Sequence, residues 1–329
     1  MAPRSSRTGS TIAAVKLRAG PASEDPVLDV LKPNTPLTVL DQQGEWFYVK
    51  AADKEGYVHS KFVLLTDQNV FATTSAEEVI PAGLLSADGP VEAPEGEKLP
   101  VNPKASLLER LAADIWNRFG GLLADLAAER KIELGVAVAV LAVEAGGRGF
   151  GPDGRMLIRF ENQIFFDRWG KDNRAEYDQH FRFNLEQRWM GHKWRPDPKG
   201  PWLPTDTADF HGSQDREWQG FSFARALDDT AAKLSISMGA PQIMGFNYLA
   251  LNYDSVHKMF DAFSASERNQ IIGFFNFVQG ASPNSARMQA LQQQDFNAFA
   301  SHYNGPGQGA KYGSLMRGVF DNFHRLKAT

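Results

Sequence analysis

Hydrophobic and polar positions change over short distances in the first 65 residues of the chain. β-Branched and aromatic residues cluster at positions 37–40, 46–49 and 57–58. Turn-forming pairs separate these clusters, at Gly20-Pro21, Pro33-Asn34 and Gln43-Gly44. Short strands at such close spacing are typical of a small barrel. The pattern therefore predicts a small all-β domain over residues 11–67.

The next segment, residues 68–104, changes in composition. It contains five prolines among many acidic side chains, and its apolar residues follow no helical or strand period. Such a segment buries too little apolar surface to offset the entropy lost when it becomes ordered. We interpret it as a Pro/Glu-rich linker between two domains.

Helical periodicity begins at residue 105 and predicts a mainly α domain over residues 105–329. Apolar residues recur at three- and four-residue intervals at Leu107, Leu108, Leu111, Ile115 and Phe119. This spacing predicts an amphipathic helix that ends at Gly120-Gly121, with a second helix over residues 123–129.

Three further elements are predicted in this domain. Residues 134–143 are almost all Ala, Val and Leu, which favours a buried helix that stops at Gly146-Gly147. A short β segment is expected over residues 156–160. Ser264 and Glu267 have the spacing of a capping box before another apolar helix.

Composition and charge exclude several classes of protein. The chain has 329 residues, no Cys, and a formal net charge of −4. The absence of Cys excludes disulfides, thiol nucleophiles and thiolate zinc sites. The slight negative charge argues against a nucleic-acid partner held by overall charge. The sequence also lacks an apolar run of ~20 residues, so we expect no insertion into a membrane.

Glu144 is the first candidate for catalytic chemistry. It lies at the end of the apolar run, two residues before Gly146-Gly147. A carboxyl group against a hydrophobic wall has a raised pKa, which a general acid needs. A solvated glutamate at a helix end is the alternative interpretation.

Two later segments carry polar groups suited to binding a sugar. Residues 237–245 contain Gly239, Pro241 and Gln242, and the Gln242 amide can both donate and accept hydrogen bonds. Tyr303 and Asn304 precede the turn Gly305-Pro306-Gly307. An ordinary loop and a helix C-cap are the respective alternatives.

Taken in order, these segments resemble the lysozyme-like superfamily, and residues 105–329 look most like its N-acetylmuramidase branch, which is familiar from phage endolysins. The resemblance implies hydrolysis of the bond between N-acetylmuramic acid and N-acetylglucosamine, with Glu144 and Glu161 as catalytic residues. We expect Glu144 to act as general acid, and Glu161 either as a second catalytic carboxylate or as a structural partner of Arg159. The residues expected to bind substrate are Ser237, Gln242, Met244, Tyr303 and Asn304.

The N-terminal domain resembles bacterial SH3-like domains through Leu17-Arg18-Ala19-Gly20-Pro21, Trp46-Phe47-Tyr48-Val49-Lys50 and Gly56-Tyr57-Val58-His59. Such domains accompany cell-wall hydrolases and can bind wall peptides. The complete chain is therefore predicted to be a multidomain protein, with a small SH3-like barrel followed by a mainly α lysozyme-like domain that contains a short β segment.

Two positions depart from the family pattern, and two alternative functions stay open. Ala145 and Met238 stand where the family usually has Ser and Trp. A lytic transglycosylase, which forms anhydro-muramic ends without water, is one alternative. A wall-binding module that has lost catalytic activity is the other.

We expect neither a cofactor nor a metal. The sequence contains no Gly-rich phosphate-binding loop and no Gly-x-Ser-x-Gly motif. His180, His192 and His211 lie in one polar segment, but no pair has the spacing of a helical zinc motif.

The biological setting is predicted from what the N-terminus lacks. Without a recognisable signal peptide, we expect synthesis in the cytoplasm, followed by action on peptidoglycan in the periplasm or cell wall. Delivery would then need a holin or a secretion machine. The expected partners are peptidoglycan glycan strands, wall peptides and, for a secreted effector, a dedicated immunity protein.

Overall fold

The computed structural model describes residues 7–11, 15–32, 35–43, 46–59, 62–65, 89–146, 148–205, 209–280, 282–305 and 307–328. The chain forms two compact units, one with the N-terminal strands and one with the helices. The predicted positions Pro33-Asn34, Gly44, Gly147 and Pro306 lie outside the described residues, as does most of the predicted linker. In the part of the chain that is described, no helix is both long and apolar enough to cross a bilayer.

The N-terminal unit is an antiparallel sheet whose strands follow the order β3-β2-β6-β5-β4-β1-β7. The strands are β1 (Arg7–Thr11), β2 (Val15–Arg18), β3 (Val27–Leu31), β4 (Pro36–Gln43), β5 (Trp46–Ala51), β6 (Lys54–His59) and β7 (Val63–Leu65). Alternate residues of β5, Phe47 and Val49, point into a small core with Leu17 and Val58. This period of two is the pattern of a sheet with one buried face.

The second unit is mainly helical. Its long N-terminal helices are α1 (Leu107–Arg130) and α2 (Leu134–Ala145), followed by β8 (Ile158–Phe160), α3 (Asn162–Phe165), a π-helical turn (Phe166–Gly170) and α4 (Arg174–His180). The middle contains β9 (Phe181–Arg182), β10 (Lys193–Trp194), α5 (Gln214–Leu227), α6 (Asp229–Leu234), β11 (Ile236–Met238), β12 (Ile243–Met244) and a 3₁₀ segment (Gly245–Leu251). The C-terminal helices are α7 (Val256–Ala265), α8 (Glu267–Gln279), α9 (Ala286–Gln292), α10 (Phe296–Asn304) and α11 (Gly309–Lys327).

Helix α2 lies at the centre of this unit, as its uniformly apolar sequence predicts. It packs against both α1 and α11, and α10 packs on α11. Residues Val136, Val138 and Val140 are completely buried. A helix that is hydrophobic on all sides is stable only when neighbours cover every face. The centre of the unit therefore holds the helix that carries Glu144 in its last turn.

Helix α1 does not end at Gly120-Gly121, so the predicted break is wrong. The helix is continuous over 24 residues and ends in a left-handed residue, Lys131, with φ of 55°. A Cβ at Gly120 would lie 2.9 Å from the Cβ of Ala93, and one at Gly121 would lie 2.7 Å from the carbonyl oxygen of Glu92. The two glycines allow another chain segment to approach the helix closely.

That segment is the described end of the predicted linker, residues 89–104. Its residues Ala93 and Leu99 belong to the core of the helical unit. The Trp116 indole N–H donates to the Glu97 carbonyl at 2.7 Å, and the Asn117 side chain bonds both backbone groups of Leu99. The helical unit therefore includes chain before residue 105.

The predicted capping box also differs from the structure. Ser264 lies inside α7, whereas Ser266 precedes α8 and its hydroxyl accepts the backbone N–H of Asn269. Both serines precede the same apolar run, and the sequence alone did not distinguish them. The predicted β segment is present as β8, which pairs with β11 in the three-stranded order β12-β11-β8.

Candidate active site

Glu144 lies in the last turn of α2, and a residue far away in the sequence holds its carboxylate. Its side chain is half-buried, and its Oε1 accepts a hydrogen bond of 2.8 Å from the Asn304 amide. Asn304 is the last residue of α10, whose first turn is capped by the Asp295 carboxylate. The helix end therefore positions Asn304, and Asn304 orients Glu144.

Two opposing effects act on the pKa of Glu144. Burial disfavours the charged carboxylate and raises the pKa, whereas the hydrogen bond from Asn304 lowers it. Burial is the larger effect, so the pKa of Glu144 is above its ordinary value of 4.5. The structure therefore places a carboxyl group with a raised pKa where the apolar sequence predicts one.

Tyr303 lies beside this carboxyl group and within an aromatic cluster. Its ring stacks on Phe299 at 5.5 Å and meets Phe274 and Phe277 edge-on, each at 6.1 Å. Burial, together with the nearby charge of Glu144, raises the pKa of Tyr303 well above its usual value. The phenol therefore stays neutral, and Tyr303 and Asn304 both lie near Glu144, as their order in the sequence suggests.

The other predicted sugar-binding residues lie on the β11–β12 hairpin. Ser237 pairs with Met244 across the two strands. The Ser237 hydroxyl donates to Gln242 Oε1 at 2.8 Å, and Gln242 Nε2 donates to the Gly239 carbonyl at 2.7 Å. Gln242 is exposed and adopts a φ of 47°. Its amide is already held within the hairpin, which makes the turn a rigid feature of the surface.

Backbone hydrogen bonds join this hairpin to the loop that follows Glu144. The Leu157 N–H donates to the Gly149 carbonyl at 2.9 Å, and the Gly239 N–H donates to the Leu157 carbonyl at 2.8 Å. The buried Gln270 side chain accepts from the Ala240 N–H at 2.9 Å. The bonds through Leu157 fix the position of the hairpin relative to the α2–β8 loop, and the bond to Gln270 fixes it relative to α8.

Glu161 is held by a separate set of partners. It follows β8, and its backbone N–H donates to the Ser235 carbonyl at 2.9 Å. Arg159 Nε lies 2.9 Å from Oε1, and Gln163 Nε2 donates to Oε2 at 2.9 Å. The side chain is 13% exposed. The contact with Arg159 is the one that the structural interpretation of Glu161 expects.

His192 and His211 are brought together beside Glu161, whereas His180 bonds the Arg195 carbonyl. His192 Nδ1 lies 2.6 Å from His211 Nε2 and 3.8 Å from Glu161 Oε2. The candidate ligand atoms of Glu161, His192 and His211 all lie within 4.8 Å of one another. The sequence-based expectation rested on spacing along one helix and therefore did not address this arrangement.

Glu217 completes this cluster and was not identified from the sequence. Its Oε1 lies 2.8 Å from His211 Nδ1, and its Oε2 accepts the Phe160 N–H at 2.7 Å. Burial is the largest influence on its pKa, which is raised. Glu217 shares the buried face of α5 with Phe221 and Ala224. A carboxylate within an apolar helical stripe was the available signal.

Two family models match parts of the chain. A family model described as N-acetylmuramidase matches residues 133–324, which is more than half of the chain, and a bacterial SH3 domain model matches residues 13–63. No curated protein matches the chain. Among solved structures, the chain is similar to the crystal structure of Burkholderia AP3 phage endolysin, with 27% identity and a TM-score of 0.47 over 62% of this chain and 70% of that one. The family match confirms the predicted resemblance and the predicted fold class: the chain belongs to the N-acetylmuramidase family of peptidoglycan hydrolases and carries a bacterial SH3 domain at its N-terminal end.

Proposed function

We propose that the protein hydrolyses the glycan bond between N-acetylmuramic acid and N-acetylglucosamine, with Glu144 as the general acid. The observation that carries this proposal is the position of Glu144, half-buried at the end of α2 with a pKa raised by burial. A carboxyl group that keeps its proton can deliver it to the leaving oxygen of a sugar linkage. The hydrogen bond from Asn304 holds one carboxyl oxygen and so limits the orientation of the acid.

Cleavage also generates positive charge on the sugar. A second carboxylate either stabilises this charge directly or activates the water that attacks the sugar. We propose Glu161 for this part. Arg159 and Gln163 restrict its position, and its side chain keeps some exposure to solvent. Carboxyl groups ~5 Å apart would predict retention of configuration, whereas ~6.5–9.5 Å would predict inversion.

The sugar-binding residues in this proposal come from two surfaces. The β11–β12 hairpin offers the exposed Gln242 and the partly exposed Met244. The Ser237 hydroxyl donates a hydrogen bond to the Gln242 amide oxygen. Helix α10 offers Tyr303 and Asn304 beside the acid. Sugar binding of this kind uses aromatic faces together with amide and hydroxyl groups.

Mass spectrometry of digested peptidoglycan tests the reaction. Purified sacculi are treated with wild type, Glu144→Gln and Glu161→Gln, and with Glu176→Gln as a matched control on the exposed face of α4. We expect new muramic reducing ends from the wild type and the control, and a rate about 10²–10⁴-fold lower for Glu144→Gln. An unchanged rate for Glu144→Gln would overturn its role, and an unchanged rate for Glu161→Gln would remove the proposed second carboxylate.

The same products separate the alternative functions. Anhydro-muramic ends in place of reducing ends would replace hydrolysis by lytic transglycosylation. No products at any pH from a folded wild-type chain would favour a wall-binding module instead. Ala145 and Met238, which depart from the family pattern, leave the binding-only alternative open, whereas the transglycosylase alternative comes from the resemblance to the lysozyme-like superfamily.

We propose that the two domains have different functions at the cell wall. The SH3-like domain, residues 11–67, would bind wall peptides, and the domain that we place at residues 105–329 would cut glycan strands, with residues 89–104 packed on it. Release by a holin and delivery by a secretion machine stay open as routes, and the second predicts an immunity protein. Competition of sacculus binding by free stem peptides tests the first assignment, because peptides that fail to compete would contradict it.

A further inference from the structure

The cluster of Glu161, His192 and His211 joins three segments that are distant along the chain. Glu161 follows β8, His192 precedes β10, and His211 precedes α5. His192 is completely buried and His211 is 9% exposed at its side chain, whereas Glu161 reaches the surface. Two imidazoles and a carboxylate that converge in this way are a common ligand set for zinc.

The outer nitrogen of each ring faces an acceptor. His192 Nε2 lies 2.9 Å from the Arg188 carbonyl oxygen, and His211 Nδ1 lies 2.8 Å from the Glu217 carboxylate. Metal-binding histidines almost always donate their outer N–H to a carbonyl or carboxylate in this way. With both outer nitrogens protonated, the two inner nitrogens present their lone pairs to the same point.

The inner nitrogens lie 2.6 Å apart, a distance at which one proton joins them as a hydrogen bond in the absence of a metal. A metal ion that binds both nitrogens displaces that proton to solvent. The carboxylates of Glu161 and Glu217 supply negative charge to balance a divalent cation.

We propose that Glu161, His192 and His211 bind one Zn²⁺, with Glu217 and the Arg188 carbonyl orienting the two rings. Tetrahedral zinc at 2.0–2.1 Å from each nitrogen needs the nitrogens about 3.3 Å apart. The rings therefore separate by about 0.7 Å from their present distance, and Glu161 Oε2 moves inward from 3.8 Å. The ion fastens the polar segment between β9 and α5 to the end of β8. This site does not depend on Glu144. It uses Glu161 as a metal ligand in place of the second carboxylate proposed for glycan cleavage, so the zinc measurement also decides between these two roles of Glu161.

Zinc stoichiometry of the complete, tag-free chain tests the site. The protein is stripped with a chelator, loaded with zinc chloride, freed of excess zinc by gel filtration and analysed by atomic emission. We expect one zinc per wild-type chain. His211→Gln and Glu161→Gln should lose most of it, and Glu217→Gln should bind about 10–100-fold more weakly in titration calorimetry. His257→Gln is the matched control, because His257 lies near Asp229 and is 41% exposed at its side chain.

Two outcomes overturn the proposal. A wild-type chain that retains no zinc contradicts it, and so does zinc that is retained equally by the control and by His211→Gln, which indicates adventitious surface binding. Circular dichroism of each variant shows whether a loss reflects unfolding, and cobalt(II) absorption of the wild type reports four-coordinate binding without any substitution. Glu144→Gln should bind zinc like the wild type, so a failure of the proposed reaction is distinguishable from a failure of the metal site.

Discussion

Removal of the Asn304 amide is the sharpest perturbation of the proposed acid. In Asn304→Ala, Glu144 loses the hydrogen bond of 2.8 Å that favours its ionised form, while the burial that raises its pKa remains. The pKa of Glu144 therefore rises further. The protonated carboxyl is the active form of a general acid, so activity should persist to a higher pH in this variant.

The size of the effect follows from the contact. A hydrogen bond to a charged group contributes ~1.5–3 kcal/mol, and the lower end applies because Glu144 is only half-buried and solvent screens the interaction. One pKa unit corresponds to about 1.36 kcal/mol. The alkaline limb of the activity profile should therefore move upward by about one pH unit.

The assay is the clearance of purified sacculi measured across pH at low substrate, where the profile reports the free enzyme. Asn322→Ala on α11 is the matched control, because its amide bonds the Gly318 carbonyl and not Glu144. The control should keep the wild-type profile. An alkaline limb that stays in place in Asn304→Ala, or moves to lower pH, would refute the assignment of that limb to Glu144.

Three further predictions concern stability and the hairpin, and urea unfolding checks each of them. Gly239→Ala should destabilise the fold by about 1–3 kcal/mol and slow sacculus clearance, because φ is +69° and a Cβ would lie 2.5 Å from Gln270; wild-type stability would contradict this. Ile115→Ala should cost about 2–5 kcal/mol because the side chain is completely buried, and a loss below 1 kcal/mol would be inconsistent with that burial. Asp295→Ala should cost about 1 kcal/mol by removing the cap that accepts the Ala298 N–H, and an unchanged unfolding midpoint would argue against the cap.

The pattern of apolar and polar residues predicted the elements whose formation depends on neighbouring residues in the sequence. The apolar run before Glu144 predicted a buried helix because only a helix surrounded by neighbours tolerates apolar residues on every face. The same reasoning failed at Gly120-Gly121, where local propensity favours a break. The close approach of residues 90–93 requires the glycines there, and that contact is visible only in the folded chain.

The residues of the candidate site also fall into two groups, those that the sequence identified and those that it did not. Glu144, Tyr303 and Asn304 were identified from their residue types and order, and the structure brings them together. The convergence of His192 with His211 was not predicted, because the two residues come from separate loops and share no helical spacing. Glu217 was missed because a single carboxylate on a helix has no distinctive motif until the buried face of that helix is known.

The central claim is that the pKa of Glu144 is higher than the ordinary pKa of a glutamate. A carbon-detected NMR titration of glutamate side-chain carboxyls, with the Glu144 resonance assigned by its loss in Glu144→Gln, measures that pKa directly. The account predicts a midpoint above 4.5 that rises further in Asn304→Ala. A midpoint at or below 4.5 in the wild type would contradict it.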